Sequence, residues 1–141
     1  MKTSKPAKDV VANMLAKDNF SQWLGVEVLA ANLGGCTIQM TIRKEMLNAF
    51  GTVHGGVTFA FADSALAFSS NSYGRISVAL EVSMSYPVAV RLGDKLTAVA
   101  EEVSLTNKIG VYFITVKNQE NQIVGVFKGT VYRTNKALKY T

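Results

Sequence analysis

Seventeen residues in the middle of this chain, from Gly55 to Asn71, restrict its fold more than any other segment. They read Gly-Gly-Val-Thr-Phe-Ala-Phe-Ala-Asp-Ser-Ala-Leu-Ala-Phe-Ser-Ser-Asn, without alternation, rich in Ala and Phe, and apolar nearly all round. Such a stretch forms a helix over about 56–71 that is buried on most sides, so the rest of the chain has to cover it. Most of that remainder reads as strands. Cys36, Ile38, Met40 and Ile42 alternate with Thr37, Gln39, Thr41 and Arg43, the period of a half-buried strand, and Asn32-Leu-Gly-Gly35 links this run to Val26–Ala31 as a hairpin. Val78, Leu80, Val82, Met84 and Tyr86 alternate in the same way, and Lys95–Leu105, Val111–Lys117 and Ile123–Arg133 follow, separated by turn-forming segments such as Asn107-Lys-Ile-Gly110. Ahead of them, Ala7, Val10, Val11, Met14 and Leu15 mark the stripe of an amphipathic helix over about 7–17, and a short apolar turn containing Trp23 stops at Gly25. The order predicts an α+β domain, one long buried helix wrapped by an antiparallel sheet of about six strands.

With 141 residues and no linker, repeat or low-complexity segment, a single domain is expected over 1–141. The formal charge of +5 resembles a nucleic-acid signal until it is located. Six of the 15 basic residues are Lys2, Lys5, Lys8, Arg133, Lys136 and Lys139, while residues 9–132 hold nine basic and ten acidic side chains, a charge of −1. A near-neutral domain with basic ends gives no basic face for nucleic acid. Apolar runs fall far short of the ~20 residues that span a bilayer, and no apolar stretch follows the charged N-terminus as a secretory signal requires. A cytoplasmic, non-membrane protein is expected, in keeping with the single cysteine, Cys36, which reads as a small buried hydrophobe. One His and one Cys give no metal site within a chain, and no cofactor is implied.

The candidate chemistry lies at the start of the long helix. Gly55 and Gly56 permit close backbone approach where the first N–H groups of a helix have no internal partner, an arrangement suited to a carbonyl oxygen gaining negative charge. The same pair could equally serve a helix start that needs conformational freedom. On helical spacing Asp63 shares a face with Gly56, Phe59, Ala60, Leu66, Ala67 and Ser70, with no Lys, Arg or His three or four residues away. A carboxylate in that company is desolvated without a local counter-charge, a condition that concentrates at functional sites. It could also reach solvent or bond to nearby backbone. His54, the single histidine, is read as a supporting residue, and Asn48 either holds its loop or orients a substrate carbonyl. Trp23, Phe50, Phe59, Phe61 and Phe68 are expected mostly in the core, with some lining an apolar pocket.

Asn48, Gly51, His54-Gly55-Gly56, Ala62-Asp63, Ala65 and Asn71, followed by Tyr86-Pro87 and Leu92-Gly93-Asp94, resemble the hotdog-fold acyl-CoA thioesterases of the phenylacetate-degradation (PaaI-like) group, over about residues 20–133. The resemblance implies hydrolysis of an acyl- or aryl-CoA thioester without metal or cofactor. It makes Asp63 the nucleophile or general base and Gly55, with Gly56, the backbone donors to the carbonyl. His54 becomes a support, Asn48 places the thioester or the water, and Phe59 is a substrate contact. It further implies a homodimer whose site combines the glycine turn of one chain with the acid of the other, pairing in some cases into a tetramer. Phosphates on CoA would call for basic side chains, for which Arg75, Arg91, Lys95 and Lys108 are candidates. Ala79 departs from the group, since some relatives carry a hydroxyl there, leaving Ser77 or Ser83 to substitute. A hotdog hydratase or dehydratase is a rival, weakened because the acid here follows the histidine by nine residues. A non-catalytic acyl-CoA-binding module is another, weakened because a binder has no need of a poorly paired carboxylate.

Overall fold

The computed structural model describes residues 5–139, so Met1–Ser4, including Lys2, and 140–141 lie outside the described residues. Helix α1 (Ala7–Lys17) buries Ala7, Val10 and Val11, with Asp9 in its first turn and Lys17 in its last, each charge opposite in sign to the nearby end of the helix dipole. Helix α2 (Asn19–Leu24) is capped by Asp18, whose side chain accepts the Ser21 N–H, and it ends on Gly25 at a φ of 83°, which a residue without Cβ adopts freely. There follow β1 (Glu27–Asn32), β2 (Gly35–Thr41), a 3-10 turn at Lys44–Met46, α3 (Gly55–Asn71), β3 (Arg75–Ser85), β4 (Lys95–Leu105), β5 (Ile109–Lys117) and β6 (Ile123–Ala137).

All six strands form one antiparallel sheet in the order β1-β2-β4-β5-β6-β3, and α3 lies against it. Phe61, Ala62, Ala65, Leu66 and Phe68 from the helix meet Ile38, Met40, Leu96, Ala98, Tyr112, Ile114 and Phe127 from the sheet in one core. Full burial of each large apolar side chain contributes about 1.5–3 kcal/mol, so this contact is the main support of the fold. It is close. A Cβ built on Gly129 of β6 would lie 2.7 Å from a Leu66 methyl, so glycine at this position sets how deeply α3 can sink.

Two expectations change. The even-numbered residues of β3 do not share one face, because pairing with β6 slips between Ala79 and Glu81. An extra residue in a strand reverses its alternation. Ser77 is buried ahead of the slip, Val82 and Met84 are half-buried after it, and Val78 and Leu80 stand 49% and 59% exposed. Among the described residues β3 is bonded on one side only, so its outer edge is open. Trp23 and Phe50 also lie outside the core, at 51% and 90% exposure, Trp23 stacking on Phe20 beneath the Arg43 guanidinium. Phe61 and Phe68 are fully buried. No helix among the described residues is long and apolar enough to cross a membrane.

Candidate active site

The start of α3 is pinned from both sides. The His54 N–H donates to the Met46 carbonyl at 2.8 Å and the Val53 N–H to the Val90 carbonyl at 2.8 Å, which lays the 87–94 segment beside this loop. His54 is the N-cap. Its Nδ1 accepts the Gly56 N–H at 2.9 Å and its carbonyl accepts the Val57 N–H at 2.9 Å. A Cβ on Gly56 would lie 3.0 Å from that Nδ1, so glycine here lets the imidazole fold over the helix end. His54 therefore caps α3, and Gly56 has its N–H committed within the chain. The Gly55 N–H is left without an acceptor among the described residues. The Tyr86 hydroxyl donates to the Gly55 carbonyl at 3.1 Å, and a Cβ on Gly55 would meet only the Tyr86 ring, at 3.7 Å. Nothing inside the chain demands glycine at 55.

Asp63 lies two turns further along α3, on the half-exposed stripe that includes Phe59, Ala60 and Ala67. Leu66 and Ser70 turn into the core instead, each 2% exposed. Its carboxylate has no hydrogen-bond or ion-pair partner among the described residues. Burial, and then the negative charge of Asp18, hold its carboxyl above the usual aspartate range. A carboxylate with raised proton affinity is a better base near neutral pH.

Asn48 has its amide occupied at home. Its Nδ2 donates to Thr52 Oγ1 and the Val53 carbonyl at 3.2 and 3.3 Å, and its Oδ1 accepts the N–H groups of Phe50 and Thr52. Of its two readings, loop-holding is the one these bonds support. Arg75 is engaged within the chain. Its guanidinium donates to the carbonyls of Thr134, Asn107 and Arg133 and to Asn107 Oδ1, which tie the start of β3 to its neighbours. Lys108 is exposed in the same neighbourhood, past the C-terminal end of α3, whereas Arg91 and Lys95 follow Val90 at the His54 end. Phe59 is half-buried, edge-on to Phe127 at 5.5 Å. Ser77 directs its hydroxyl to the Arg75 carbonyl, and Ala79 and Ser83 are exposed. The Cys36 thiol is pushed up to about 11 by burial, in spite of a hydrogen bond from Ser69, and is no nucleophile. Among the described residues no three His, Cys, Asp or Glu side chains are grouped to hold a metal.

Sequence reasoning gave no site role to Asp18 or Tyr86. Asp18 carries a legible N-cap signal, an aspartate directly before an apolar turn, but its nearness to Asp63 arises only from packing.

A family model described as the thioesterase superfamily matches residues 50–124, the span that holds this helix start, Asp63 and the strands β3 to β5. The chain belongs to the thioesterase superfamily. It is 40% identical over 135 residues to a putative esterase of Archaeoglobus fulgidus, covering 96% of this chain and 88% of that protein. It is 32% identical over 120 residues to the acyl-coenzyme A thioesterase PaaI of Escherichia coli, covering 85% and 86%. The solved structure of Escherichia coli PaaI superposes with a TM-score of 0.92 at 30% identity, covering 94% of this chain and 96% of that one, so the fold is the hotdog fold. A Streptococcus mutans protein solved bound to acetyl CoA superposes with a TM-score of 0.77 at 27% identity, covering 81% and 91%. As a thioesterase-superfamily chain it presents a free backbone donor and an unpaired carboxylate on one helix.

Proposed function

We propose that this chain is an acyl-CoA thioesterase in which Gly55 of one protomer and Asp63 of the partner subunit act on the same thioester carbonyl. The observation that carries the reading is a length. Gly55 and Asp63 are eight residues apart on one helix, about 12 Å along its axis, while donor and base must both come within about 3 Å of the reacting group. One chain cannot supply both. A second copy paired along the open edge of β3, with its α3 antiparallel, brings one of each together twice by symmetry. Gly55 then has the reason for being glycine that its own chain lacks.

In this reading the Gly55 N–H polarises the carbonyl and Asp63 takes a proton from a water as its oxygen bonds to the carbonyl carbon. The C–O⁻ so formed is held by the Gly55 N–H. When it collapses the C–S bond breaks, and the thiolate of CoA leaves with the proton returned from Asp63, giving a free acid and CoA. Direct attack by the Asp63 carboxylate, with water opening the resulting anhydride, gives the same products. The raised proton affinity of Asp63 favours the base role. The naming of a relative as an acyl-CoA thioesterase and the acetyl CoA in a structural neighbour support the substrate class. Arg91, Lys95 and Lys108 remain the candidates for the CoA phosphates, and the cytoplasmic assignment rests on the unpaired Cys36.

Free-thiol release across short, medium, long and aryl-CoA thioesters tests the activity and identifies the acyl group. Turnover that disappears in Asp63→Asn with the dimer intact supports the reading, while binding of acyl-CoA without turnover on any substrate replaces it with a binding module. An equal mixture of Gly55→Ala and Asp63→Asn chains, refolded together, tests the shared site. Half the dimers are mixed and each carries one intact site, so about one quarter of wild-type activity should return. If both groups acted within one chain, none would.

A further inference from the structure

We propose that Asp18 is a positioning residue for the reaction: held against α3 by Ser21 and Ser64, its carboxylate sets the charge environment in which Asp63 takes and returns the substrate proton. The tether is made of hydrogen bonds. Asp18 accepts the Ser21 N–H at 2.9 Å and the Ser21 hydroxyl at 2.5 Å, and the Ser21 and Ser64 hydroxyls lie 2.7 Å apart, Ser64 being the neighbour of Asp63 on α3. Ser21 and Ser64 are 1% and 6% exposed, so this link is shielded from water and fixes the end of α2 on the helix.

Among the described residues, Asp18 is the charge that shifts Asp63, and no positive charge acts against it. On α3 the residues three and four away from Asp63 are Phe59, Ala60, Leu66 and Ala67. On the neighbouring α1 the Lys17 ammonium donates to the Lys139 carbonyl, and the sheet turns apolar side chains such as Ile38, Leu96 and Ile114 into the core beneath α3. Asp18 is the charged group that acts on Asp63, adding to burial in disfavouring its ionised form. Two carboxylates close together resist being charged at once, so Asp18 makes Asp63 a stronger base toward the attacking water.

The sign follows directly. Removing the charge of Asp18 leaves burial alone acting on Asp63, which then releases its proton at lower pH. Asp18→Asn is the variant of choice because asparagine caps a helix as well as aspartate does, with Asp18→Ser as a second capping residue should the first fail to fold. Two readouts apply to the full-length protein: the pH profile of kcat/KM for thioester hydrolysis, and NMR titration of the ¹³C-labelled Asp63 carboxyl, assigned with Asp63→Asn. The expected result is an acid limb and a carboxyl titration that both move to lower pH in Asp18→Asn, with the melting curve retained. A merely structural role would lower stability and leave both midpoints in place, and that result would overturn the proposal. The kinetic readout rests on the thioesterase reading, whereas the carboxyl titration does not. Absence of hydrolysis would therefore refute that reading, while an unmoved Asp63 titration would refute the role of Asp18.

Discussion

Replacing Gly55 by alanine separates what a residue does for its own chain from what it does for a ligand. The backbone at 55 is outside the left-handed region, and the added Cβ would meet nothing nearer than the Tyr86 ring at 3.7 Å, an ordinary contact. Alanine also loses less conformational freedom than glycine in a helix. Stability should therefore stay level or rise, by up to about 1 kcal/mol. Activity should move the other way. Alanine keeps the backbone N–H, but its methyl stands beside that free N–H where a carbonyl oxygen would dock, and keeping the oxygen from such a donor costs about 10²–10³ in kcat, or ~2.7–4 kcal/mol. Urea denaturation, sedimentation to confirm the assembly, and steady-state thiol release would give the three numbers needed. A Gly55→Ala protein with kcat/KM within a few-fold of wild type would refute the argument. So would one whose activity falls only in step with a loss of stability.

The other expectations concern charge, packing and Arg75. Asp63→Asn should lower turnover by about 10³ or more and raise the melting temperature at neutral pH. The folded-state proton affinity of Asp63 is raised, so wild type loses stability as pH rises through that window, and the advantage of the variant should shrink on acidification when melting curves are compared from pH 8 to 5. Gly129→Ala forces a Cβ to within 2.7 Å of a Leu66 methyl and should cost about 1–3 kcal/mol in urea denaturation. Arg75→Ala should lose about 1–3 kcal/mol from unpaired carbonyls while leaving KM for acyl-CoA near the wild-type value, since its guanidinium is held by Asn107, Arg133 and Thr134.

What the chain reveals of itself depends on how local each cause is. The apolar run from Gly55 to Asn71 has no alternative to a covered helix, and the inward alternation of Cys36, Ile38 and Met40 is legible because β2 pairs with regular register on β4. β3 misleads because its slip at Leu80 is decided by pairing with β6, about fifty residues away in the chain, and not by its own side chains. Trp23 and Phe50 mislead for a related reason: an apolar residue looks the same in sequence whether it fills a core or faces outward. At the site, Asp63 and the Gly55-Gly56 pair stand out by position, but only the folded geometry divides the glycines, giving Gly56 to His54 and leaving Gly55 free. Arg75 and Lys108 are indistinguishable as charges until the carbonyls around Arg75 are seen.

The interval between Gly55 and Asp63 works as a fixed ruler. Every α-helical residue adds about 1.5 Å and about 100° of rotation, so one residue inserted between them would move the acid along the helix and swing it off its stripe. In a symmetric pair that single change spoils both sites at once, since each site is measured out by the same stretch of helix taken from opposite ends. An insertion beyond Asn71 alters neither reading. Loops and strand ends of such a protein are free to drift in length, while these eight steps of α3 are not.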